Sequence, residues 1–350
     1  MTYQVIQWAT GTVGIHAVPA IAAHPDLELA GLWVHSDAKA GRDAGEICGG
    51  PALGVIATTD AEALLASQPD AVCYMANSDL RPGQVIEDIC DMLRRGINVV
   101  NTSYVPLVFP KAAGPGVYEK LQEAALEGNA SFYTSGIDPG FGNAGITTHA
   151  LALCKEVRTV RMMEIVNYAT WDNAFTMFEI MGFGKTDPSQ SLLLSPGSTA
   201  LAWGPVIELV AAALDVELDG IEEWHEIILA DEDFEIASGP VAKGTISGMR
   251  FEIRGMIDGE ARIIVEHVTR LRDEDAPEWP QGEGYRIEIT GEPHVKVELS
   301  VSSDLGDHNH AGCLATAMHV INALPHVIEA PAGVLTTLDL PVYSARHLLV

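Results

Sequence analysis

Positive charge is scarce in this chain of 350 residues. Only 20 Lys and Arg stand against 48 Asp and Glu, a formal net charge of −28. Such a surface repels a polyanion, and no Lys/Arg-rich run offers local relief, so nucleic-acid binding through the phosphate backbone is excluded. Cysteine is sparse too. Cys48, Cys73, Cys90, Cys154 and Cys313 lie far apart, form no C-x-x-C pair and are odd in number. That argues against a zinc site or a disulfide framework, and for small buried hydrophobes in a reducing cytoplasm. No uninterrupted apolar run reaches the ~18 residues a membrane helix needs. The opening Met1–Trp8 has no basic n-region and no cleavage-like site, so neither a membrane nor a signal peptide is expected. Internal repeats are absent. What is abundant is apolar residues, 47% of the chain, enough for a large core and, at roughly 100–200 residues per domain, about two domains.

The first third alternates short apolar runs with helical stretches. Strands are expected at Gln4–Trp8, Leu27–His35, Ala71–Met75, Ile97–Asn101 and Ser131–Thr134, and helices at Ile15–Ala23, Asp60–Ser67, Pro82–Arg95 and Val117–Glu127. Strands separated by helices of this length imply βαβ units and a parallel sheet. From about Val157 to Asn309 the pattern changes. Longer β-runs follow one another at Val160–Tyr168, Trp224–Ala230, Thr245–Asp258, Glu260–Arg270, Tyr285–Thr290 and His294–Ser300. Asp258-Gly259 between two of them is a hairpin signal. The reading is α/β: an N-terminal parallel-sheet domain over residues 1–135, and a mostly antiparallel α+β domain over 136–309. Residues 310–350 read as a helix at His310–Leu324 and a loose tail. Asp273–Gly284 reads as an exposed acidic loop.

The strongest chemical signal is the turn after the first strand. A strand running into G-x-G-x-x-G and then a helix is the dinucleotide-binding fingerprint. Here it stands as Ala9-Thr10-Gly11-Thr12-Val13-Gly14, with Ala9 in place of the first glycine. Gly11 would let the backbone approach a pyrophosphate, Gly14 would let helix and strand pack closely, and the helix N-terminus would supply free N–H groups. The second strand ends without the acid that would bind a ribose 2′-hydroxyl. His35, Ser36, Lys39 and Arg42 would instead surround a 2′-phosphate, favouring NADP, with NAD as the alternative if Asp37 holds the ribose.

The opening IQWATGTVG, the stretch GINVVNTSY at Gly96–Tyr104, the segment SGIDPGF at Ser135–Phe141 and MGFG at Met181–Gly184 together resemble the dihydrodipicolinate-reductase-like oxidoreductases. The closer resemblance is to the branch holding 2,4-diaminopentanoate dehydrogenase and the native NAD(P)-dependent amine dehydrogenases. It covers nearly the whole chain. The resemblance implies a Rossmann domain completed by residues 310–350, a substrate-binding and dimerisation domain, a homodimer, and a nicotinamide lying beside Met75, Ala76, Thr102, Ser103 and Pro139. It implies reductive amination of a small ketone or aldehyde, and the reverse. One departure matters. The glutamate of the amine dehydrogenases would fall at Val105 or Pro106, neither of which accepts a proton.

Hydride chemistry at C=N or C=O needs a proton donor or charge partner near the reacting heteroatom. The candidates are Tyr104, Asp138, Glu164 and Tyr168. Glu164 and Tyr168 alternate onto one strand face and Asn167 onto the other. A buried carboxylate among them would have a raised pKa. Glu179 is a further candidate for the pocket. Asn143, Asn167, Trp171, Phe175, Met177, Phe178 and His308 are expected to line a largely apolar substrate pocket. His308, His310, Asp304 and Asp307 lack metal-ligand spacing and read as a helix start, with Asp307 or Asn309 as its cap, so no metal is expected. Two other functions stay open: a carbonyl or enone reductase with Tyr104 as the acid and no ammonia, and a cofactor-binding sensor without turnover.

Overall fold

The computed structural model describes residues 2–78, 81–304, 308–346 and 348–349. Its chain forms two compact units, Met1–Gly140 with Cys313–Val350, and Phe141–Gly312.

The first unit begins with β1 (Tyr3–Trp8), α1 (Gly14–Ala23), β2 (Leu27–Trp33), α2 (Ala44–Ile47), β3 (Ala57–Thr58) and α3 (Ala61–Ala66). It continues with β4 (Ala71–Tyr74), α4 (Pro82–Arg94), β5 (Asn98–Asn101), α5 (Val117–Gly128) and β6 (Ser131–Thr134). Local chemistry places several boundaries. The Asp60 carboxylate accepts from the Ala63 N–H and caps α3, Pro82 occupies the first turn of α4, and Asn129 ends α5 in the left-handed conformation. Val85, Ile89, Met92 and Leu93 form the buried stripe of α4. They join Leu121, Ala124 and Ala125 of α5 in one core layer against the sheet.

The second unit holds α6 (Ile146–Leu151), β7 (Glu156–Asn167), α7 (Ser198–Leu214), β8 (Gly220–Leu229), β9 (Phe234–Ile236) and β10 (Gly239–Val241). Then come β11 (Ile246–Ile257), β12 (Glu260–Arg270), β13 (Gly284–Glu292) and β14 (Val295–Leu299). A six-stranded sheet runs in the order β14-β13-β7-β12-β11-β8. All its pairs are antiparallel except β7 with β12, which is parallel. The β11–β12 turn has Asp258 at φ 53 and Gly259 at φ 73, the two left-handed residues a tight type I′ hairpin requires. One face of this sheet is covered by α7. A Cβ added at Gly255 would meet Ile207 at 2.4 Å, so that glycine admits the helix.

The chain closes with α8 (His308–Glu329) and β15 (Gly333–Leu335). The tail is therefore anchored at its start by β15. β15 pairs in parallel with β6 and completes a seven-stranded parallel sheet, β15-β6-β5-β4-β1-β2-β3. Three residues are too short to show a period, which is why the strand escapes the sequence pattern. By length and composition α8 would suit a membrane span. Ala317, Val320, Ile321, Leu324 and Val327 instead pack against Val5, Val18, Ile21 and Leu29. Each fully buried aliphatic side chain contributes roughly 1.5–3 kcal/mol, so α8 is a core helix.

The 273–284 loop is only partly exposed. Trp279 is buried with Met163, Ile165, Val268 and Ala276, and the Arg270 guanidinium lies 5.7 Å from its ring centroid. Arg270 also donates to the carbonyls of Asp275 and Pro280, so a buried cation organises a loop whose composition alone suggests solvent.

Candidate active site

In the first unit, β1 lies between β2 and β4, the point where the strand order reverses and where open α/β sheets bind ligands. The turn leaving β1 is tightly built. Ala9 stands at φ 76, a left-handed conformation that costs a residue with a Cβ about 1 kcal/mol. Its N–H donates to the Trp33 carbonyl at 2.9 Å, and its carbonyl accepts from Gln7 Nε2 at 2.8 Å. A Cβ at Gly14 would lie 2.2 Å from that carbonyl oxygen, whereas nothing lies within 4 Å of a Cβ at Gly11. Gly14 is thus required by internal packing, and Gly11 leaves open approach to the backbone. Thr10, Gly11, Thr12 and Val13 lead into the N-terminus of α1. This cradle fits a dinucleotide pyrophosphate.

The loop after β2 reaches the same turn. His35, Ser36, Asp37 and Arg42 are exposed, and Lys39 is half-buried. The Lys39 ammonium donates to the carbonyl and the hydroxyl of Thr10, each at 3.0 Å. It therefore ties the second strand's loop to the glycine turn. Trp8 stacks on Trp33 at 4.6 Å and on Tyr74 at 6.1 Å between centroids, an aromatic ladder beneath these loops.

At the ends of β4 and β5, Met75 and Ala76 are buried. The loops are joined by the Ser78 hydroxyl donating to the Ser103 carbonyl at 2.7 Å and the Thr102 N–H donating to Tyr74. Tyr104 packs against the cluster that includes Trp8, Tyr74 and Leu107. Burial raises its pKa, which keeps the phenol protonated. Val105–Val108 is a single 3₁₀ turn with no acid in it. Asp138 and Pro139 follow β6, Asp138 half-buried and Pro139 buried. Their loop is anchored by the Ile137 N–H donating to Thr316 at 3.1 Å.

In the second unit a buried polar cluster forms on the α7 side of the sheet. Glu164 on β7 and His267 on β12 are register partners. His267 Nδ1 lies 3.0 Å from Glu164 Oε2, and the Tyr168 hydroxyl donates to the same oxygen at 3.2 Å. The His267 ring is gripped by Phe251, stacked at 4.8 Å, and by Trp203 at 4.4 Å. Tyr285 stands opposite Glu164 on β13 and 5.8 Å from the His308 ring. Glu164 is only 8% exposed. Burial pushes its carboxyl up, but the His267 hydrogen bond and charge, the His308 charge and the Tyr168 hydroxyl hold it below its ordinary value. The expected raised pKa is overturned, because the stabilising partners outweigh desolvation. Glu164 is an ionised carboxylate at neutral pH.

Asn167 does face the other way. Its amide donates to Asp273 at 2.8 Å, and it lines a cavity of about 650 Å³ with Val166, Thr170, Arg270, Asp273, Gln281 and His308. Polar and apolar atoms line this cavity in near-equal measure. Of the expected pocket residues, Asn167 and His308 line it; Asn143, Trp171, Phe175, Met177 and Phe178 do not. Met177 is fully buried, and Phe175 is exposed. Phe178 packs over the glycines at 184 and 239, and Trp171 sits 5.9 Å from Tyr168. Asn143 is buried and accepts from the Ala144 N–H. Glu179 is exposed and paired with Lys185. Asp307 lies outside the described residues. Asn309 does not act as a cap; its amide donates to the Asn167 carbonyl and the Thr170 hydroxyl. Sequence reasoning did not single out His267 or Trp203, which join the Glu164 cluster. The only signal for His267 is an imidazole within a β-run, beside Glu266.

Residues 147–348 match the family model described as the 2,4-diaminopentanoate dehydrogenase C-terminal domain. An amine dehydrogenase from Streptomyces virginiae is 36% identical over 348 residues, covering 97% of this chain and 96% of that protein. The chain belongs to the amine dehydrogenase and 2,4-diaminopentanoate dehydrogenase family. The 2,4-diaminopentanoate dehydrogenase of Acetoanaerobium sticklandii is a more distant relative of this oxidoreductase, 24% identical over 279 residues, 79% of this chain and 75% of that one. The solved amine dehydrogenase of Mycobacterium smegmatis shares the fold, with a TM-score of 0.80 at 19% identity over 98% of this chain and 97% of that chain. A family member of this kind uses a nicotinamide cofactor.

Proposed function

We propose that this amine dehydrogenase homologue reversibly aminates a small ketone or aldehyde, with Glu164 as the carboxylate that holds the nitrogen. The observation that carries the reading is the Glu164–His267–Tyr168 cluster, a buried ionised carboxylate in a chain with no acid between Asn101 and Pro110. The nicotinamide, when bound on the glycine turn, supplies or accepts the hydride. A carboxylate at low exposure stabilises an ammonium or iminium cation strongly, because water screens it little. The Tyr168 hydroxyl and His267 Nδ1 fix the Oε2 lone pairs, leaving Oε1 for the substrate nitrogen. His267 is positioned to share the proton that the nitrogen gains or loses. NADP is the favoured cofactor over NAD, since the end of β2 presents Ser36 and Arg42 without a strand-terminal acid. A cytoplasmic homodimer is the working state. Free cysteines and the exposed Phe175, Leu192 and Leu201 support it.

The test is NADPH oxidation with small carbonyl compounds, with and without ammonium, at about pH 9 where free ammonia is present. Turnover that requires ammonium, and that falls by about 10²–10⁴-fold in Glu164→Gln with NADPH affinity retained, is expected. Turnover without ammonium, unaffected by Glu164→Gln, would move the protein to carbonyl reduction. Tight cofactor binding with no turnover on any substrate would make it a sensor.

A further inference from the structure

We propose that Gln7 is a positioning residue for the nicotinamide dinucleotide, acting as a latch on the glycine turn. The need for a latch arises from Ala9. A glycine there would adopt a positive φ freely, but Ala9 is held at φ 76 against its own Cβ. If Ala9 relaxed to the extended region, its carbonyl would swing off Gly14 and the N–H groups that follow it would be re-aimed. Those are the groups a pyrophosphate meets.

Three observations place the restraint on Gln7. Its side chain is fully buried, and its Nε2 donates to the Ala9 carbonyl at 2.8 Å. Its Oε1 has no hydrogen-bond partner among the described residues, a cost that a purely structural role would avoid by placing an apolar side chain at this position. A Cβ at Gly14 would stand 2.2 Å from the Ala9 oxygen and 3.0 Å from Gln7 Nε2, so latch, carbonyl and helix start converge on one point. Lys39 holds the next carbonyl, that of Thr10, from the other side. The turn is thereby clamped at two consecutive peptides, one from β1 and one from the loop after β2. Gln7 lies below the turn and makes its contribution through Ala9.

The test compares Gln7→Met, Ala9→Gly and the double variant by fluorescence titration with NADPH and with NADH, beside the melting temperature and kcat at saturating cofactor. Gln7→Met removes the donor and the unpartnered acceptor together. We expect dissociation constants raised about tenfold, with kcat and melting temperature unchanged. Ala9→Gly in the wild-type background is the reference, and adding it to Gln7→Met restores affinity to within about threefold of that reference. Should Gln7→Met not fold, Gln7→Leu likewise removes both polar atoms and should show the same loss and the same rescue. Amide exchange at Thr10 and Gly11 in the free protein should quicken in the Gln7 variants and slow again with Ala9→Gly. Wild-type affinity in the Gln7 variants, or a loss that Ala9→Gly fails to restore, would overturn the proposal.

Discussion

His267 Nδ1 stands 3.0 Å from Glu164 Oε2 across the parallel pair β7 and β12. These are the two strands that break the antiparallel rule of their sheet. The parallel pairing brings side chains 103 residues apart onto one face, where Phe251 and Trp203 fix the imidazole. Without His267, burial would dominate and Glu164 would hold its proton more tightly. His267→Phe preserves the aromatic packing but deletes that partner. The acid limb of kcat/KM for ammonium should move to higher pH in this variant. An unmoved limb would remove Glu164 from the chemistry.

Tyr104 packs on an apolar cluster. If Glu164 manages the nitrogen, Tyr104→Phe removes only an oxygen, and kcat should change by less than about threefold. A loss in the 10²–10⁴ range expected for a missing general acid would instead support carbonyl reduction through Tyr104.

The loop after β2 presents Ser36, exposed and without an acid on the strand end before it. Ser36→Asp adds a carboxylate where a 2′-phosphate would lie. The ratio of NADPH to NADH affinity should fall by at least about tenfold, since the acid repels the phosphate and accepts from a ribose hydroxyl. Dissociation constants for the two cofactors read this directly, and an unchanged ratio would count against NADP selection at this loop.

A buried His–Tyr contact predicts a pH-sensitive core. Burial lowers the His319 pKa to about 4, and the ring lies 2.8 Å (Nε2) from the Tyr343 hydroxyl. The folded value lies below the ordinary 6.5, so the native state binds fewer protons than the unfolded one. The stabilisation is present above pH 6.5 and is lost as pH falls toward 4, a range worth about 3 kcal/mol. Melting temperature should therefore drop across that window in the wild type and flatten in His319→Gln. Parallel curves for the two proteins would refute the assignment.

Much of the first unit is legible because each βα unit carries local marks. Gly14, the Asp60 cap, Pro82 and the glycine at 128 each solve a problem within a few residues. The alternation of Glu164 and Tyr168 on one strand face was legible for the same reason. What stayed hidden depends on pairing between distant segments. The register that sets His267 against Glu164, and the ionisation it imposes, has no local trace. Phe175, Met177 and Phe178 look alike in sequence, yet one is exposed, one fully buried and one packed over glycine backbone. Trp279 is buried because Arg270 gathers the loop carbonyls around it, an arrangement that acidic, proline-rich composition conceals.

The pairing of β15 with β6 also orders events in time. Ser131–Tyr133 must wait for Gly333–Leu335, and Val5 and Leu29 for the α8 residues that cover them. Ribosomal synthesis delivers the N-terminus first at about 5–20 residues per second. The sheet edge and one core face thus stay open for roughly ten to forty seconds, while some two hundred residues emerge. For a nascent chain of this kind, the exposed apolar face of an incomplete parallel sheet is the hazard, and a stall near the C-terminus would leave it uncovered.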